Sequence, residues 1–230
     1  MIHNAFPEIR ERYEQLPKAA LRVTVRFLSP IVHYEPLHLD AMLSYAVVYD
    51  ATRGEMLSGL SSGDAYYLPL PMQALWHSPS GLPLWASTDF APQGEVVSDV
   101  TYAHKRALEP KMTSRNLTTG KGQFKEIRKP LPTIDANGFS ADCVGNAEEI
   151  ARLLNTTTGV GKKRAYGFGN VAEWIIEDIP EFNLYDEAEV PRRPLPAKYV
   201  GGWRGDIMWG GWTPPYWLAS LHCPLVVGAV

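Results

Sequence analysis

The sequence predicts an α+β fold built on a βαββαβ, ferredoxin-like (RRM-like) core. Two observations carry that prediction: an alternating strand followed by a helix near the N-terminus, and a helix that runs through a basic glycine-rich loop into a second strand near residue 175. With 230 residues and 45% hydrophobic content, the chain can bury one large core or two small ones. The expectation is a single domain, 1–230, with an irregular β-rich and basic insertion over 60–140.

The first strand is LRVTVRFLSP, where Leu21, Val23, Val25 and Phe27 share one face and Arg22, Thr24 and Arg26 the other, until Pro30 ends the run. Next, LHLDAMLSYAVVYDAT repeats Leu39, Met42, Leu43, Ala46 and Val47 at helical spacing, so a helix is expected over 39–51. Residues 64 to 103 hold the β-prone pieces AYYLPLP, LPLWASTDF and VVSDVTYA, broken by prolines. From Ala103 to Lys129 the chain carries Lys105, Arg106, Lys111, Arg115, Lys121, Lys125, Arg128 and Lys129 against Glu109 and Glu126. Eight cations against two acids give this stretch a net charge of +6, read as an extended basic hairpin or arm with Gly120 and Gly122 near its tip.

NAEEIARLLN follows, with Ile150, Leu153 and Leu154 at helical spacing, Asn146 as N-cap and acids in the first turn. Then comes GVGKKRAYGFG, residues 159 to 169, and VAEWIIE, which has strand composition. The loop sets four glycines beside Lys162, Lys163 and Arg164, a combination suited to a polyanion that approaches bare main-chain N–H groups. A Walker loop requires a glycine where Thr156 stands and Ser or Thr where Lys163 stands; a dinucleotide fingerprint places its third glycine at Arg164 and follows a strand rather than a helix. A kinase-type lid lies between two strands. No nucleotide cofactor is therefore expected.

The last forty residues hold Trp203, Trp209, Trp212 and Trp217 among glycines and prolines. Indoles tucked over a core and indoles that stack on bases or dock a partner are both open readings. The formal net charge of −3 provides no global attraction to nucleic acid, so any such binding rests on local clusters. Cys143 and Cys223 lack paired spacing, which argues against a zinc knuckle or disulfide framework. No apolar run reaches signal-peptide or membrane-spanning length, so a soluble cytoplasmic protein without membrane partners is expected.

RVTVRFLSPI, HLDAMLSYA, GVGKKRAYGFGNVAEW and PRRPLP, in that order, resemble the RAMP superfamily of RNA-binding CRISPR proteins. HLDAML, GKKRAYGFG and RPLP together are most similar to the small handle-capping subunit of type IV effector complexes. The resemblance implies a RAMP fold with a C-terminal glycine-rich loop and a basic thumb over 104–129. It also implies a non-catalytic role: gripping the 5′ repeat handle of the guide RNA (crRNA) beside backbone and large subunits, with contact to target DNA left open. On both grounds Gly159, Gly161, Lys162, Lys163, Arg164, Gly167 and Gly169 are expected to cradle RNA phosphates, with Tyr166 stacking on a base. Lys105, Arg106, Lys111, Arg115, Lys121 and Lys125 are expected to extend that contact; Arg192, Arg193 and Arg204 either extend it or pair with acids.

Two rivals remain. Some RAMP proteins cut precursor guide RNA without metal, and His33, Tyr34 and His38 follow the first strand where such a residue would sit; a packing role for His38 and a helix-start role for Asp40 are the alternatives. HYEPLHLD also clusters His33, Glu35, His38 and Asp40, but it lacks the spacing of a known zinc motif, so no metal is expected.

Overall fold

The computed structural model describes residues 3–4, 6–32, 36–54, 66–105, 127–201 and 205–228. Its elements in chain order are β1 (His3–Asn4), α1 (Pro7–Gln15), β2 (Ala19–Phe27), α2 (Leu39–Ala51), β3 (Tyr66–Tyr67), β4 (Ala74–His77), β5 (Pro83–Trp85), β6 (Ala91–Lys105) and β7 (Ile127–Gly145). They continue as α3 (Ala147–Leu154), β8 (Val171–Asp178), β9 (Leu195–Pro196), β10 (Ile207–Gly211) and β11 (His222–Val226).

The main sheet has four antiparallel strands in the order β6-β7-β2-β8, with α2 connecting β2 towards the middle of the chain and α3 connecting β7 to β8. Its register follows from the alternation in β2. Leu21, Val23 and Val25 are fully buried, and they lie opposite Cys143, Ala141 and Phe139 of β7. Across the other edge, Val23 and Val25 face Ile176 and Trp174 of β8. Each such aliphatic side chain stabilises the fold by roughly 1.5–3 kcal/mol through burial. Ile150, Leu153 and Leu154 of α3 close over this layer, and Asn146 caps the helix by accepting the Glu149 N–H at 3.0 Å.

The sheet's opposite face carries paired ions. Arg22 forks onto Asp142 at 2.7 and 3.0 Å, Arg192 reaches the same carboxylate at 2.8 Å, and Arg26 meets Glu173 at 2.8 Å. The cations on that face are thus matched with acids.

The span 60–140, expected as an irregular insertion, contains two strands of the main sheet. β6 and β7 form one hairpin whose pairing runs from Ala91↔Ser140 out to Lys105↔Ile127. Beyond the core much of this ribbon is open: Val96, Val97, Val100, Tyr102 and Ile127 are exposed, although Leu131 and Thr133 of β7 are buried. Strand alternation records burial of one face, and in β6 the adjacent Val96 and Val97 are both exposed, so no period-two signal marks that strand. Pro130 and Pro132 sit where β7 has only β6 beside it, a position that tolerates a missing N–H.

A second apolar cluster gathers Leu82, Leu84, Leu184, Leu195, Trp212, Leu218, Leu221 and Leu225 around the three-stranded sheet β10-β11-β9. Strand β5 serves both clusters, because its alternation sends Leu84 into this one and Trp85 into the main core. The tryptophan-rich segment divides accordingly: Trp212 is buried, whereas Trp209 and Trp217 are 68% and 70% exposed. Trp203 and Arg204 lie outside the described residues. Among the described residues no helix is long and apolar enough to cross a membrane.

Candidate nucleic-acid interface

The glycine-rich loop is pinned to the segment that leaves β2. The Lys162 amide donates to the Val32 carbonyl at 2.7 Å, the Gly169 amide to Pro30 at 3.0 Å, and the Leu28 amide to Asn170 at 2.8 Å. Val160 N–H closes the loop's neck on the Gly169 carbonyl at 2.9 Å. Between these ties the chain makes a single 3-10 turn over Arg164–Tyr166, bounded by left-handed residues at Lys163 (φ 64) and Gly167 (φ 88). Turn and ties hold Lys162, Lys163, Arg164 and Tyr166 outward, all four exposed.

The glycines divide by role. A Cβ on Gly169 would lie 1.9 Å from the Val160 carbonyl oxygen, and one on Gly161 would lie 2.8 Å from both Val32 O and Ile31 Cγ1, so bare backbone is required where two chain segments meet. The Gly167 and Gly169 amides donate to Arg164 O and Pro30 O, so these two glycines shape the loop instead of offering donors to a ligand. The amides of Gly161, Lys163 and Arg164 have no acceptor among the described residues. Arg164 also reaches back to the Gly159 carbonyl at 3.3 Å, and the Lys163 ammonium lies 5.4 Å from the centre of the Tyr166 ring. Among the described residues Lys163 and Arg164 meet no carboxylate, in contrast to Arg22, Arg26 and Arg192 on the sheet.

Beside the loop opens a cleft of about 850 Å³. It is bounded by Leu37, His38, Met42, Tyr45 and Tyr49 on the α2 side, by Thr156 to Gly161 and Arg164 on the loop side, and by Pro214 to Trp217 at the end. Sequence reasoning missed the two tyrosines. The available signal was α2 itself, LDAMLSYAVVYDA, which is apolar nearly all round, although a helix of that kind is normally enclosed on every side. Here Leu39, Leu43, Ala46 and Val47 face the core while Tyr45 and Tyr49 stay 61% and 47% exposed.

The cleft floor rests on a buried ionic cluster. Arg193, fully enclosed, donates to Asp40 at 3.1 Å, to Ser87 Oγ at 2.9 Å and to the Tyr216 hydroxyl. Tyr216 donates in turn to the Asp40 carboxylate at 2.8 Å. Burial works against charge on Arg193, but Asp40, with Tyr216 and Asp89, outweighs it and holds the guanidinium above its ordinary pKa. Burial, reinforced by Asp40 and opposed by Arg193, pushes the Tyr216 phenol well above its usual value. His38 stacks flat on Tyr216, with ring centres 4.0 Å apart, and its Nδ1 lies 2.5 Å from Asp89. Thus HLDAML and RRPLP, far apart in sequence, meet through Asp40 and Arg193. Asp40 serves this ion pair as well as the start of α2, and Arg193 is a core residue rather than part of a cationic surface.

The other expected residues fall as follows. Lys105 ends β6 in register with Ile127; Arg106, Lys111, Arg115, Lys121 and Lys125 lie outside the described residues, as do His33, Tyr34 and Glu35. At the described end of the hairpin Arg128 lies over the Tyr102 ring at 4.1 Å. Phe168 is half-buried in the loop ahead of β8.

The sequence profile of the family described as CRISPR type IV associated protein Csf3 matches residues 86–227. No curated protein matches the chain. Among solved structures, a chain in the cryo-EM structure of the type III-B Cmr-beta complex bound to cognate target RNA is similar at 11% identity and a TM-score of 0.35. The match covers 75% of this chain and 65% of that one.

Proposed function

The chain belongs to the CRISPR type IV associated Csf3 family, and from that premise we propose that it is a non-catalytic RNA-binding subunit of a type IV effector complex that grips and caps the 5′ repeat handle of the guide RNA. The strand order β8-β2-β7-β6 with helices after the first and third strands supports a ferredoxin-like, RAMP-type core. One observation carries the reading: Lys162, Lys163 and Arg164 stand exposed on a tied loop beside a cleft that Gly161 and Arg164 help to line. Main-chain donors at Gly161, Lys163 and Arg164 add phosphate contacts of the kind that handle recognition requires. The partners implied are crRNA and the backbone and large subunits.

The test is a pull-down of tagged protein from cells carrying its operon, with sequencing of bound RNA and mapping of 5′ ends. Guide RNAs sharing a repeat-derived 5′ end, together with backbone subunits, are expected; recovery of no RNA overturns the reading. In vitro, alanine at Lys162, Lys163 and Arg164 weakens binding and lowers the slope of log K against log salt by about 0.7 per lost phosphate contact. An unchanged slope removes the loop from the interface.

A second reading, metal-independent cleavage of precursor RNA, is favoured by the His38–Asp89 pair at the cleft, since a carboxylate on Nδ1 orients the other ring nitrogen. A single cut of repeat RNA in EDTA that disappears in His38→Ala would establish it in place of the first.

A further inference from the structure

We infer that the outward side of α2, with Trp217 across from it, is the base-binding wall of the cleft, where Tyr45 and Tyr49 stack on splayed bases of single-stranded RNA whose phosphates the glycine loop holds. The inference rests on the RNA-binding reading above and assigns the part of the site that contacts bases.

Tyr45 and Tyr49 lie one helical turn apart with near-parallel rings, their centres 6.2 Å from each other. They form two consecutive platforms on one rigid helix instead of two loosely placed side chains. Trp217 is 70% exposed at the far side of the same cleft, held between the Tyr216 hydroxyl network and buried Leu218. An exposed aromatic trio loses apolar contact with water only when something flat and apolar covers it. The adjoining wall says what covers it. The same cleft is lined by the Thr156 to Thr158 run, Gly161 with its amide and Arg164 with its guanidinium, all suited to polar and anionic groups. Aromatic rings and phosphate-binding groups lining one cleft match a strand with its bases turned to the rings and its backbone to the loop. Exposed rings beside cationic and main-chain donors fit a single-stranded nucleic acid, which carries flat bases and phosphates on one chain.

The test uses full-length protein and a short fluorescent single-stranded RNA of the repeat-handle sequence, alongside the same RNA with abasic sites at successive positions. For the Tyr45→Ala/Tyr49→Ala variant, affinity for the intact RNA is expected to fall roughly tenfold or more while the salt slope stays at the wild-type value. Tyr45→Phe/Tyr49→Phe, which keeps both rings, restores affinity. Wild-type protein loses a similar factor on an abasic RNA, and the tyrosine variant gains no further loss there; this arm is independent of how the variant folds. Equal affinity of wild type for intact and abasic RNA, with a steep salt slope retained, overturns the base wall and leaves the RNA-binding reading standing. No binding of either RNA overturns both. Loss of a co-purifying protein subunit from the tyrosine variant, with RNA affinity intact, also overturns the inference and assigns the wall to that subunit.

Discussion

Cys143 lies fully enclosed in the main core beside β2, and burial, with the nearby Asp142 charge adding to it, pushes its thiol up to about 12. In the unfolded chain a thiol titrates near ~8.5. The folded state therefore holds its proton more tightly, so the contribution is fully present below the unfolded pKa and is lost as pH rises towards the folded one. Denaturation midpoints are expected to fall between about pH 9 and 12, and Cys143→Ala, despite a lower midpoint at neutral pH, is expected to show a shallower decline. An identical decline in the variant would assign the alkaline loss to other groups, Tyr13 first, whose phenol burial and the Glu149 carboxylate also raise to about 12. The ionic residues show where single-residue reading stops. PRRPLP looks like exposed basic sequence, and its two arginines diverge: Arg192 pairs with Asp142 on the sheet, and Arg193 enters the core to meet Asp40. Nothing local in the sequence marks that burial, because the acid that permits it lies far back on α2.

At the scale of elements, α2, α3, β2 and the edge strand β8 were legible from residue spacing and composition, whereas α1 was not anticipated. The expected 39–51 helix coincides with α2, Asn146 caps α3 as its residue type suggests, and β2 buries the face that its alternation selects. The β6–β7 hairpin and the tyrosines of α2 were not legible for one shared reason: both carry apolar residues, Val96, Val97, Val100, Tyr102, Tyr45 and Tyr49 among them, that stay exposed. The loop at 159–169 was legible as a loop, but its glycines carry distinct demands. Gly167 has φ 88 with open space where a Cβ would point, so Gly167→Ala is expected to cost roughly 1–2 kcal/mol of backbone strain with the loop retained. Gly169→Ala drives a methyl into the Val160 carbonyl and breaks the neck of the loop. The expected outcome is a steeper loss of stability together with a reduced salt slope in RNA binding, since Lys162 to Arg164 are no longer held together. If the two variants lower stability equally by urea titration, close backbone approach is not what Gly169 supplies.

For the whole molecule, charge and packing are both segregated. The chain totals −3 while 103–129 alone carries +6, so the remainder stands at −9. A polyanion is therefore favoured electrostatically near residues 103–129 over the rest of the chain. Packing is divided between two apolar clusters, and among the described residues the links between them include the shared strand β5, the Thr213 hydroxyl on the Pro83 carbonyl at 2.8 Å, and the Asp40–Arg193–Tyr216 cluster. Of these the ionic cluster is the most dependent on both sides, because a charge left buried without its partner costs about 3–5 kcal/mol. Wild-type protein is thus expected to lose far-UV ellipticity and tryptophan fluorescence in one urea transition, the fluorescence arising from Trp212 and its neighbour Trp76 in the C-terminal cluster as well as from Trp85 and Trp174 in the main core. Arg193→Ala leaves Asp40 enclosed and unmatched, so its fluorescence transition should move to lower urea than its ellipticity transition, the C-terminal unit releasing while the main sheet and helices persist. Coincident transitions in the variant would mean that β5, with Leu84 in one cluster and Trp85 in the other, couples the two without the ion pair. Separation would locate in one buried salt bridge the link that also sets the floor of the cleft. In that case Arg193→Ala should lower RNA affinity in proportion to the released fraction, although Arg193 itself is buried beneath the cleft floor.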